Sequence, residues 1–165
     1  MLINNATIKE INLLSQQCFW LNRVIDRATS VLSVKFGLTT TSQIIHERLA
    51  HKYPLLADDI NEILDMYNEY IDYLETPASV VDYEGVVELF QVILDENIIL
   101  YEMLKNAIFV ARQEGNLNVE SHLLSFSNTL NKYMAQCITL RDKADLMKDD
   151  LAMFDLSIPK FFTLE

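Results

Sequence analysis

Residues 11–32 read INLLSQQCFWLNRVIDRATSVL. Within this stretch Ile11, Leu14, Cys18, Leu21, Ile25, Ala28 and Leu32 recur at alternating steps of three and four. That is a heptad-like seam, the pattern of helices packed nearly parallel in a bundle. The spacing predicts a first helix from about Thr7 to about Val34. Gly37 is its expected stop, followed by a polar turn at Thr39–Thr41.

Three more seams follow. Ile45, Leu49, Tyr53, Leu56, Ile60, Ile63, Tyr67, Ile71 and Leu74 predict a second helix over about 42–74, with Ser42 as its cap and Thr76–Pro77 as its end. Pro54 lies inside this pattern. It removes a backbone donor and should kink the helix about one turn earlier, near Ala50. Val87, Phe90, Leu94, Tyr101, Leu104, Ile108 and Ala111 predict a third helix over about 83–113, stopped at Gly115–Asn116. Leu123, Phe126, Leu130, Tyr133, Cys137, Leu140, Ala144, Met147 and Leu151 predict a fourth over about 119–152. Pro159 should then close off helix. Ile158, Phe161, Phe162 and Leu164 make residues 153–165 an apolar tail, expected to dock on the bundle or on a neighbouring subunit.

The whole chain, 1–165, therefore reads as one all-α domain, an antiparallel four-helix bundle. Composition agrees. Half of the 165 residues are apolar, yet Gly and Pro occur three times each, which favours long helices over turn-rich β structure. Apolar runs such as Ile98–Leu100 are too short to span a bilayer. Asn4, Asn5, Lys9 and Glu10 interrupt any secretory signal, so a cytosolic protein is expected. Cys18 and Cys137 are far apart, sit on seams, and read as buried reduced thiols. A net charge of −11 disfavours non-specific binding to nucleic acid or to an anionic membrane. It suits solubility or the gathering of cations.

The topology is left open by the middle connection. Short links make helices one and two, and three and four, antiparallel hairpins. A bundle whose second and third helices run parallel instead needs a crossover along a bundle about 45 Å long. The eight residues from Glu75 to Asp82 reach at most about 28 Å. That crossover requires helix ends to unwind, before Tyr83 or after Tyr70. The alternative is a plain up-down-up-down bundle.

Two stretches carry a family resemblance. His46–Glu47–Arg48–Leu49, followed by Tyr53, Ile60 and Ile63, resembles the second helix of the Dps proteins (DNA protection during starvation), which are mini-ferritins. Ala111 to Asn116, then Leu123–Leu124, Leu130 and Lys132, is similar to that family's last turn and fourth helix. The likeness covers about residues 10–145. It implies a ferritin-like fold, a dimer-based or cage-like homo-oligomer, and iron binding or storage with protection against oxidative stress. The family's iron site lies between subunits: two histidines from one subunit, an Asp and a Glu from its partner. Imidazole and carboxylate donors with open positions suit Fe(II) oxidation.

On this sequence the resemblance places His46 at the second histidine, and Asn61 and Asp65 at the two acids. Val34, which cannot bind a metal, falls at the first histidine. His46, Asn61 and Asp65 are thus the candidate iron contacts, in an incomplete set that leaves ferroxidase-type activity open. An in-bundle di-iron site would need inward carboxylates and Glu-x-x-His motifs, and the chain has no Glu-x-x-His. His46 and His51 are five apart, about 140° around an ideal helix, so they are not expected to chelate. Asp58, Glu62, Asp65 and Glu69 read as a hydrated outer face. Asp95 and Glu96 read as a polar edge, with an inward turn of one of them as the alternative.

DNA coating is not expected. The N-terminus offers only Lys9, and residues 149–165 carry one Lys against four acids. No nucleophile sits in a glycine-rich turn and there is no phosphate-cradling loop. Three readings remain: an iron-handling Dps-like or ferritin-like protein, a non-catalytic structural or interaction protein on the same fold, and a bundle unrelated to iron that uses its seams for partner helices.

Overall fold

The computed structural model describes residues 2–165, and every regular element among them is helical. The elements are α1 (Asn5–Val34), α2 (Thr39–Ile45), a π-helical turn (His46–Ala50), α3 (Lys52–Met66), α4 (Val86–Gln113), α5 (Leu117–Leu146) and α6 (Leu151–Phe161). The opening seam is core along its whole length: all seven of its residues are buried. Gly37 and Gly115 end α1 and α4 with the positive φ that glycine tolerates.

The second helix ends eight residues before the expected Leu74. Its stop is Asn68, which takes the left-handed conformation at φ 56°. The Glu69 N–H then bonds back to the Leu64 carbonyl at 3.1 Å, closing the helix as a glycine would. Ile71 still packs on the core from non-helical backbone, which is why its spacing imitated helix. The third helix correspondingly starts at Val86 rather than Tyr83.

Residues 67–85 therefore form one long connection, able to span roughly 60 Å when extended. It runs along α1 from one end to the other. The Asp72 N–H bonds the Asn12 side chain at 3.1 Å, Phe19 and Tyr73 lie 6.2 Å apart, and Arg27 donates to the Val81 carbonyl at 3.1 Å. Lys35, just past the end of α1, bonds the Tyr83 carbonyl at 2.6 Å. The connection starts beside the α4–α5 turn, where the Tyr67 hydroxyl meets Asn116 at 3.2 Å. Thus α3 and α4 run parallel, and the ferritin-like crossover replaces the up-down-up-down alternative.

Two further boundaries differ from expectation. The fourth helix stops at Leu146, and Asp150 starts α6 by accepting from the Met153 N–H at 3.1 Å. Residues 151–161, expected as the end of one helix and a tail, are a separate helix that carries Pro159 in its last turn. It docks as anticipated, through Phe154, Ile158 and the following Phe162, all buried. Ser42 is not the cap of the second helix; its hydroxyl donates to the Thr29 carbonyl at 2.8 Å. The helix begins at Thr39, and the free N–H groups of Thr40 and Thr41 bond the Asp155 carboxylate, at 3.4 and 2.7 Å, from α6. Asp155→Ala should cost about 1 kcal/mol, as loss of an N-cap does. A lower urea midpoint at unchanged slope would show it.

Candidate functional site

A hydrogen-bonded polar layer lies in the bundle interior, midway along the helices. The Tyr53 hydroxyl donates to Asn97 Oδ1 at 2.5 Å. Asn97 Nδ2 donates to the Ile93 carbonyl at 2.9 Å and lies 3.6 Å from Cys137 Sγ. Tyr133 meets the Tyr53 ring edge-on at 5.5 Å. Cys18, Tyr53, Asn97 and Cys137 are all fully buried. Tyr53 and Asn97 each satisfy their polar atoms from within the layer, so the network has no unmet demand.

Every group in this layer is neutral. Burial pushes the Cys137 thiol up to about 12 and the Cys18 thiol higher still. Burial, reinforced by the nearby Cys137, also holds the Tyr53 phenol well above its ordinary value. Both thiols are thus protonated near neutral pH, which makes them poor metal ligands and poor nucleophiles.

A di-iron carboxylate site in a ferritin-like bundle would require inward Glu and Glu-x-x-His side chains. The buried polar residues are instead Thr7, Asn12, Ser15, Thr29, Thr41, Asn61 and Asn97, with no acid or histidine among them. No group of three or more His, Cys, Asp or Glu side chains able to hold a metal ion occurs among the described residues. The interior donor set does not fit a di-iron centre.

The three candidate iron contacts lie on the same hairpin arm but not together. His46 is exposed, and its Nδ1 is 2.9 Å from Asp26 Oδ1. Asn61 and Asp65 are fifteen and nineteen positions further on, on the order of 20–30 Å along the helix. Asp65 is exposed. Asn61 is only 3 % exposed, and neither its Oδ1 nor its Nδ2 has a partner. Val34 stands in solvent at the end of α1.

The acidic residues keep to the outside. Asp58, Glu62 and Asp65 are exposed as expected of a hydrated face, but Glu69, expected to continue it, is half-buried and lies past the end of α3 at Met66. Asp95 is exposed and bonded by Gln91, while Glu96, half-buried, accepts from Gln17 at 2.8 Å. Neither turns into the bundle.

The midplane layer had a sequence signal of its own. The third seam skips from Leu94 to Tyr101, and the position that fills the step is Asn97, three after one and four before the other. A polar residue at a seam position is the mark of a buried network.

Pro54 acts where its missing donor predicts. The Ala50 carbonyl, left without its usual helical partner, accepts from Asn22 Nδ2 at 3.0 Å. The adjoining turn widens to π geometry over His46–Ala50. The His46 and His51 rings therefore do not diverge as they would on an ideal helix; their centroids lie 4.6 Å apart.

No family model and no curated protein matches the chain in sequence. Solved structures match it in fold. An open-pore ferritin from the archaeon Archaeoglobus fulgidus superposes with a TM-score of 0.85 at 12 % identity, over 95 % of this chain and 96 % of that one. A PmFTN variant soaked in iron gives 0.85 at 14 % identity, over 92 % and 99 %. The Chlorobium tepidum ferritin gives 0.81 at 10 % identity, over 96 % and 98 %. At these identities the likeness is one of fold, and it extends over nearly the whole of each chain. The crossover along α1, the two antiparallel hairpins and the added α6 make this the ferritin fold.

Proposed function

We propose that the chain is a subunit of a ferritin-type homo-oligomer that holds iron as cargo and does not oxidise it inside its own bundle. The neutral Tyr53–Asn97–Cys137 layer carries this reading. Ferrous iron is oxidised where carboxylates and imidazoles leave open positions, and the midplane supplies an amide, a phenol and protonated thiols.

Self-association is supported by the crossover. Tyr70, Tyr73, Val80 and Val81 are exposed along it, the first at 91 %, which is costly unless another surface covers them. Retention of iron is supported by the charge of −11 and by acids confined to the surface, where they attract cations without being desolvated.

Stress protection of the Dps kind would need a cross-subunit site from His46, Asn61 and Asp65. Asn61 would have to leave its buried position to reach a partner, so that finer reading has less support. The same neutral layer favours a second reading, a structural or interaction protein on the ferritin fold that handles no metal.

One experiment separates these. Fe(II) is added aerobically to the purified oligomer, and ferric absorbance, particle mass and co-eluting iron are followed. The expected result is a multi-subunit particle, ferric formation at the rate of protein-free buffer, and iron that elutes with the protein. Oxidation well above the buffer rate overturns the claim of an inert bundle. A large particle that retains no iron selects the second reading.

A further inference from the structure

We infer that His46 and His51 form a surface chelate for a late first-row divalent metal ion, with Asp26 as the carboxylate that orients His46. The site is separate from the bundle interior and does not depend on iron storage.

The geometry begins with Pro54. Its missing N–H frees the Ala50 carbonyl, and the turn just before it widens to π form. In a regular α-helix, side chains five apart diverge; i→i+5 bonding brings them back toward one face. The two imidazoles accordingly lie with ring centroids 4.6 Å apart and planes at 67°. A zinc–nitrogen bond of about 2.0–2.1 Å puts a ring centroid about 3.2 Å from the ion, so two cis imidazoles on one metal have centroids on the order of 4.5–5 Å apart. The rings already stand at that separation.

Asp26 settles which nitrogen of His46 is available. Its Oδ1 lies 2.9 Å from His46 Nδ1. A neutral imidazole that donates Nδ1–H to a carboxylate presents Nε2 as the lone-pair donor and is held in one orientation, the usual support for a metal-ligating histidine. Both histidines are exposed, so an ion has direct access, and water completes the coordination. Two imidazole donors suit Zn²⁺, Ni²⁺ and Cu²⁺, with Cu²⁺ bound most tightly. Among the described residues no third ligating side chain joins them, in keeping with an open, exchangeable site.

The test uses the full-length protein, free of iron, with Cu²⁺ alone as probe. Equilibrium dialysis should find one tight Cu²⁺ per chain, and electron paramagnetic resonance should show coupling to two equatorial nitrogens. His51→Ala should leave a one-nitrogen signature and His46→Ala likewise. Asp26→Asn should weaken binding roughly tenfold or more while keeping both nitrogens. His122→Ala, on the exposed side of α5, should change nothing. The three histidines are exposed and Asp26 is half-buried at the surface, so the variants retain the fold. Absence of binding, or a signal unaltered by His51→Ala, overturns the inference. Neither outcome bears on whether the oligomer retains iron.

Discussion

Asn97→Asp should cost about 3–5 kcal/mol of stability at pH 7 and far less at pH 4, relative to the parent at each pH. Asn97 is fully buried, and its amide nitrogen donates to the Ile93 carbonyl. A carboxylate there loses that donor and sets a negative charge against a carbonyl oxygen. The remaining neighbours, Tyr53 and Cys137, are neutral. Burial raises the folded-state pKa of such an acid above its unfolded value of about 3.9. The sign follows. Below pH ~4 the group is protonated in both states and the penalty is small, because a neutral acid can still donate to Ile93. As pH rises from there the unfolded chain ionises first, and stability falls by about 1.4 kcal/mol per pH unit until the folded group ionises as well. Urea unfolding of variant and parent between pH 4 and 8 would measure it. Asn128→Asp, at an exposed position, should stay within about 0.5 kcal/mol throughout. Added Mn²⁺ should not rescue Asn97→Asp, since no second carboxylate faces it. A variant as stable as the parent at pH 7 would show that the midplane tolerates a buried charge, and one that divalent metal stabilises would show that it accepts a metal. The neutral-bundle reading would then fall.

The core was legible because its cause is local. Steps of three and four put Ile11, Cys18, Leu21 and Leu32 on one stripe, and any partner stripe buries them. Boundaries were less legible where a distant residue decides them. The start of the second helix depends on Asp155, more than a hundred positions away, while Ser42, the cap residue the local pattern offers next to the seam, bonds the Thr29 carbonyl instead. The early stop at Asn68 was masked by Ile71, whose burial comes from lying along α1 rather than from helix. The site shows the same division. The neutral layer could be read from Asn97 interrupting a seam. The histidine pair is hidden by ideal-helix geometry, although Pro54, whose missing donor frees the Ala50 carbonyl, marks where the helix departs from it.

The C-terminal helix gives the second large effect, because its attachment rests on few side chains. Phe154 is fully buried, with ring centroids 5.9 Å from Phe90 of α4 and 5.5 Å from Phe161. Phe154→Ala removes the largest of the buried side chains in α6 itself, leaving Ile158 and the following Phe162 to hold the helix. Large-to-small changes of this kind cost about 3–5 kcal/mol. For a chain of this size that lowers Tm on the order of 10 °C, compared at one protein concentration because the parent is expected to be oligomeric. Leu156→Ala, in the same helix but 74 % exposed, should move it little unless a neighbouring subunit covers that face. The effect should also travel. Undocking α6 withdraws Asp155, and with it the cap on Thr40 and Thr41 at the start of α2, so amide exchange should rise in residues 39–45 as well as 151–161. Faster exchange confined to α6 would mean that α2 holds its own first turn. A Tm loss of only a degree or two would make α6 an appendage, and the Phe90–Phe154 contact a consequence of docking rather than its cause.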